Sequence, residues 1–400
     1  MTQAALAGLV LAGAVACARQ KLPQEEAPDA ASAGASAFVL TAPPTTAPRI
    51  ALGNLDGEIA DREGRAARGD RVSQQELVPR YLTRARFEGR VADLIAADEM
   101  SSRLVAAHPT DGSILLIRAK ALSSIHAFAE ASTELDAAAR EHAAAGELNG
   151  ERGAILLATG REDEAASLLA IPDGAPVAEL AMRAGVEARV GHASEAERLF
   201  ELARQRYHDV SPFAVAWMDF EHARALELEG DRRRARPYLE EATKVLPSYA
   251  HAVVHLAALV PPDAALAMLA PLTATSDDPD VLAGQADALR RAGRTDEAKA
   301  MTARAAARYS EVLARLPLAY ADHAASFFLG MGSDPGRALA LATQNADNRP
   351  TDEALELWLT AAQAARDGAA TCAAARRLLA RPHASAPLRA RATGASRGCP

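Results

Sequence analysis

From about Arg71 to Ala390, apolar positions fall into helix-spaced stripes broken by short polar turns, and one small residue marks each stripe. Ala97, Ala131 and Ala165 stand 34 residues apart, as do Ala264 and Ala298, and the series continues through Ala196, Ala235, Ala338 and Ala373 with gaps of 29 to 40. Four residues beyond the mark comes a larger apolar side chain, as at Leu135, Leu169, Phe200, Leu239 and Met268. Seven beyond it another small residue often follows, as at Ala138, Ala203, Ala242, Ala305 and Ala380. Offsets of four and seven share one face of an α-helix. Twelve residues before the mark lies a further small residue: Ala119, Gly153, Ala184, Ala223, Ala286 or Ala361. Each unit thus reads as two helices meeting through small side chains, and a period of this length predicts helical hairpins stacked in series.

The turns carry their own chemistry. Gly160-Arg161-Glu162-Asp163-Glu164 precedes Ala165, and Gly293-Arg294-Thr295-Asp296-Glu297 precedes Ala298; Gly191, Gly230 and Gly368 stand five before Ala196, Ala235 and Ala373. Glycine accepts the positive φ that ends a helix, and acidic residues suit the first turn of the next one. Pro109, Pro247 and Pro350 close some units, and Pro261-Pro262 replaces the glycine turn before Ala264.

This pattern resembles the tetratricopeptide repeat family, in which small residues, a large residue and a late proline occupy these offsets. The resemblance implies an all-α fold: an α-solenoid of about eight helix-turn-helix repeats over residues 71–390, wound into a right-handed superhelix. It further implies a non-enzymatic scaffold that binds a partner polypeptide on its concave face. In this family the first helix of each pair lines that face. Its exposed positions here would include Arg118, Arg152, Arg183, Glu187, Asp219, His222, Gln285 and Arg290.

Composition narrows the classes. Hydrophobic residues make up 49%, much of that alanine, and aromatics only 4%, which suits thin helix–helix interfaces better than a β-rich core. The formal net charge of −8 lacks the electrostatic footprint of a nucleic-acid binder. The basic run Arg232-Arg233-Arg234 with Arg236 reads as a solvated turn.

The N-terminus reads as an address. Ala4 to Ala16 is an apolar run of signal-peptide length, ending in Ala14-Val15-Ala16-Cys17. Small residues before a cysteine resemble the bacterial lipobox, which implies cleavage after residue 16, lipid on Cys17 and a place in the bacterial cell envelope. Ordinary signal-peptidase cleavage fits the same residues. Residues 17–70 are then expected to hold the attachment cysteine and a tether rich in Pro, Ala, Ser and Thr. A cytoplasmic adaptor or co-chaperone with a misread start is the alternative.

With Cys17 assigned to lipid, Cys372 and Cys399 form an even pair. A bridge between them would staple a tail of residues 391–400 to the last repeat; two free thiols are the other reading. Catalytic motifs are missing: no phosphate loop, nucleophile elbow or Cys-x-x-Cys occurs. His251 and His255 share a helix face with the spacing of a zinc pair, so a metal-dependent hydrolase is a minor alternative, but Ala252 stands where a metalloprotease has Glu. Ordinary packing is the expected role, with no cofactor, no metal and no small-molecule substrate.

Overall fold

The computed structural model describes residues 43–169 and 174–399. The expected signal peptide (1–16), Cys17 and the start of the tether lie outside the described residues. Among the described residues there are helices and turns but no strand.

Among the described residues nine antiparallel hairpins follow one another. They pair α2 (Arg71–Glu88) with α3 (Val91–Ala107), α4 (Gly112–Ser124) with α5 (Phe128–Arg140), and α6 (Ala145–Ala158) with α7 (Glu162–Leu168). Next come α8 (Val177–Arg189) with α9 (Ala193–Gln205), α10 (Pro212–Leu228) with α11 (Arg232–Val245), and α12 (Ala250–Ala257) with α13 (Pro262–Leu269). After the single turn α14 (Leu272–Thr275), α15 (Pro279–Arg291) pairs with α16 (Thr295–Arg315), α17 (Ala321–Leu329) with α18 (Pro335–Asn348), and α19 (Asp352–Ala364) with α20 (Gly368–Leu379). Two single helices close the ends, α1 (Pro48–Ala66) on α2 and α21 (Ala386–Ser396) on α20. This is the all-α solenoid of stacked hairpins that the pattern implies, with nine units where about eight were expected. Two boundaries change. Helix α1 occupies residues assigned to the tether, because Leu55 and Ile59 are buried against α2. Most of the expected tail is helix α21, whose Ala392 is buried.

The marked alanines explain the close approach. Ala97, Ala131, Ala165, Ala196, Ala235, Ala298 and Ala338 are all buried. Two marks are out of register. Ala264 is exposed, and the buried series there is Ala265, Leu269 and Leu272, because Pro262 begins the helix one residue later than a glycine turn would. Ala373 is half-buried, and the buried residues of that helix are Cys372, Ala374, Ala375 and Leu378. There the left-handed turn residue is Arg366 (φ 57°), and Gly368 already lies inside α20.

One feature departs from a simple one-dimensional stack, in which a repeat touches only its neighbours. The array curls so far that its later hairpins lie along the edge of its earlier ones, joining residues 164 to 222 positions apart. Asp277 accepts hydrogen bonds from the backbone N–H of Val91 (2.5 Å) and Ala92 (3.2 Å), so it caps α3 from across this seam. Further along, Arg315 meets Glu99 at 2.9 Å, His126 donates to the Leu318 carbonyl at 3.2 Å, and Asn348 donates to the His126 carbonyl at 2.9 Å. Arg189 meets Glu353 at 2.5 Å, and Arg381 reaches both the Gly160 carbonyl (2.6 Å) and Glu162 (2.5 Å).

Candidate functional site

Curling turns the inner face of the coil into an interior. Helix α10 shows this most clearly: from Pro212 to Leu226 every residue but Phe213 and Glu221 is buried, including Asp219, His222 and Arg224. A helix buried on all sides is normally apolar throughout. Here Asp219 is paired with Arg204 of α9, Arg224 with Glu227 of its own helix, and His222 is held by ring stacking alone.

Two ionic groups illustrate the interior. In the first, Glu227 at the end of α10 accepts from His255 Nδ1 at 2.9 Å and from Arg224. Burial works against its charge, but His255 and Arg224 outweigh burial and bring the carboxyl down to about 2. In the second, Asp280 accepts from Tyr309 and from His323 Nδ1, while Tyr320 donates to Asp278 at 3.0 Å. His323 loses hydration on burial, yet Asp280 and Asp322 more than compensate and raise it to about 10. Asp280 is held well below the usual carboxylate range by His323, and Asp278 is pushed upward by burial and by the neighbouring Asp280 charge. Arg349 bonds Asp322 at 3.1 Å; burial and the Arg349 charge lower His126 to about 3. Arg189 brings Glu353 to about 2 against its burial. Glu151, buried on α6, is raised to about 7 by desolvation.

Chemically this is a network of buried ion pairs in which some atoms, Glu353 Oε2 and Arg349 Nε among them, have no hydrogen-bond partner. His251 and His255 do not act as a pair: His255 is held by Glu227 and sits edge-on to Phe220 at 5.3 Å, while His251 faces Asp278 at 3.7 Å. Among the described residues no group of three or more His, Cys, Asp or Glu has the arrangement to hold a metal ion. Cys372 and Cys399 are joined as a disulfide, with Cα atoms 5.6 Å apart.

The eight expected contact residues do not form one surface. Arg118, Arg152, Arg183, His222 and Gln285 each directly precede the small residue of their helix, and the first four of them reach the preceding helix. Arg118 bonds Asp98 (2.6 Å) and Ser101 (3.0 Å) on α3, and Arg152 bonds Asp136 (2.6 Å) on α5. Arg183 donates to the Ala166 carbonyl on α7 and to Glu187, which also holds His192 at 2.7 Å. His222 stacks between Phe200 on α9 (4.6 Å) and Tyr238 on α11 (3.9 Å). Asp219 is fully buried against Arg204, and Arg290 bonds Asp287 at 2.9 Å. Asp219, His222 and Glu187 are buried and leave the exposed set, and Arg118, Arg152 and Arg183 are engaged in joining neighbouring helices. Asp219, His222 and His255 drew notice in the sequence in other roles, whereas Arg189, Glu227, Asp280, Asp322 and Glu353 did not, although five ionisable groups within the otherwise apolar Pro212–Leu228 were a visible signal.

No protein-family model matches the chain, and no curated protein matches it. Among solved structures, a chain of the APC/C hetero-tetramer Cut9–Hcn1 is similar at 14% identity and a TM-score of 0.41, covering 76% of this chain and 59% of that one. A chain of Naa15/Naa10 bound to HypK-THB is similar at 12% identity and a TM-score of 0.27, covering 81% of this chain and 65% of that one. Each match thus spans under two thirds of the neighbour's own chain. Likeness this distant leaves the architecture to be read from the helix pairing described above.

Proposed function

We propose that the protein is a non-enzymatic scaffold of the bacterial cell envelope that holds a partner polypeptide on the inner face of its coil. The observation that carries the reading is that inner face. It gathers donors and acceptors from α8, α10, α12, α15, α17 and α19, not all of them satisfied within the chain, the inventory of a recognition surface more than of a reaction centre. The residues to test are therefore Arg189, Glu227, His255, Asp280, Asp322 and Glu353 rather than the eight sequence-derived positions.

Export is supported by the apolar start ending at Cys17 and by the Cys372–Cys399 bridge, since disulfides persist in oxidising compartments. The lipid anchor belongs to this proposal. No described helix is long and apolar enough to cross a membrane.

The scaffold reading is tested by a photo-crosslinking residue at Glu353 in intact cells, with identification of the captured chain. A specific partner lost on substituting Arg189 supports it; no specific partner at any interior position sinks it. Incorporation of a fatty-acid analogue, lost in Cys17→Ser, tests the anchor. Protein confined to the cytosol would favour the adaptor alternative.

A further inference from the structure

We propose that the stretch of seam between α6–α8 and α19–α20 is a parting line, through which the inner face is reached while the hairpins on both sides stay folded. This deepens the scaffold reading by giving its partner a route inward. Its own test needs no partner, so the two can fail separately.

The seam is not uniform. At its start it is apolar: Phe87 packs on Phe213 at 5.0 Å and on Tyr249 at 4.9 Å, and Val91 belongs to the same apolar cluster as α16–α21. Further along the character changes. Every side-chain contact described between α6–α8 and α19–α20 is polar: Arg189 with Glu353, Arg381 with Glu162 and the Gly160 carbonyl, and His383 with Asp163 at 2.9 Å. No apolar cluster contains residues from both α6–α8 and α19–α20, whereas Ile125, one hairpin earlier, packs against both the α4–α6 and the α16–α21 clusters.

Backbone meets backbone at this place. A Cβ on Gly160 would stand 2.7 Å from the Pro350 carbonyl oxygen and 2.8 Å from the Arg381 guanidinium, so the two edges meet closely here. Directly behind the contact, Glu353 Oε2 and Arg349 Nε are buried with no partner in the protein. Closure therefore leaves polar atoms unmatched that opening would release to solvent or to a partner.

The physical contrast follows. Parting an apolar seam exposes hydrocarbon and is opposed in proportion to area. Parting a polar one exchanges internal hydrogen bonds for bonds to water at small net cost, provided the charges come apart together. The coil should open where only charge holds it. Arg381 is the central tie, because its one guanidinium joins α7, the Gly160 turn and Asp352 of α19 (2.7 Å).

Carboxyl footprinting of the full chain with a carbodiimide and an amine, read by mass spectrometry, tests this. The reporter is Glu353, behind the seam; the control is Asp219, buried between α9 and α10 away from it. Arg381→Met should raise the labelling rate of Glu353 at least tenfold, since removing one partner of a buried ion pair strongly favours the separated state. Asp219 labelling and far-ultraviolet circular dichroism should not change. Glu162→Gln removes the same tie from the opposite edge and serves if Arg381→Met does not fold. Unchanged Glu353 labelling in the folded variants would overturn the proposal. So would a rise in Glu353 and Asp219 together, which marks general unfolding.

Discussion

Removing the Cys372–Cys399 bridge should unfasten α21 and little else. The bridge closes a span of 27 residues. In the chain-entropy account a loop of that size restrains the unfolded chain by about 3.5 kcal/mol, equivalent to a few hundredfold in an equilibrium. Little else competes. Ala392 is the single buried residue of α21, and an isolated helix of 11 residues is marginal in water. What remains is the packing of half-buried Leu388 and Ala395 and a set of polar contacts: Arg391 on Glu356 and Thr360, both at 2.6 Å, and Arg389 on the carbonyls of Leu379, Arg381, Pro382 and Ala384. Hydrogen exchange of residues 386–396, with and without reductant or in Cys399→Ser, should show protection falling roughly a hundredfold or more. Helices α10 to α13 should keep theirs, because nothing in their packing depends on the bridge. A fall of less than tenfold, or one reaching α10, would refute the reasoning.

Three further outcomes are expected. Ala265→Leu should destabilise by about 1–3 kcal/mol in urea unfolding through overpacking, whereas exposed Ala264→Leu should be near neutral; equal effects would put the register in doubt. Gly53→Ala, on the outer face of α1 with open space around the added methyl, should stabilise by about 0.5–1 kcal/mol, and a loss of stability would mean that face is covered. Stability should fall toward both extremes of pH. His323, raised from 6.5 to about 10, contributes stability that is fully present below pH 6.5 and lost as pH rises through 10; Glu151, raised from 4.5 to about 7, adds a loss between those values. Glu227 and Glu353, lowered from 4.5 to about 2, contribute stability that is present above 4.5 and lost as pH falls through 2. Thermal melts should show both arms, and an alkaline arm unchanged in His323→Gln would contradict the assignment.

What the sequence disclosed was local. Ala131, Leu135 and Ala138, or Ala235, Leu239 and Ala242, announce one buried face each, because helix packing obeys a short period. Register slipped where the turn broke the glycine rule, at Pro261-Pro262 and at Arg366. The inner face was a different problem. Arg118 and Arg183 look free when one helix is viewed alone, yet each is bound by the helix before it. The contacts of Arg189 or Arg381 lie 164 and 219 residues away, a distance no local period encodes.

Capping of α3 by Asp277 sets a limit on how this chain can be edited. An open array of hairpins tolerates the loss or gain of one unit, since only two neighbours notice. Here, deleting a hairpin between α4 and α13 would carry Asp277 away from the end of α3 and misalign each later tie by one repeat, like a jacket buttoned one hole off. The length of the chain is therefore itself a matched dimension, and shortening it should disturb helices far from the cut.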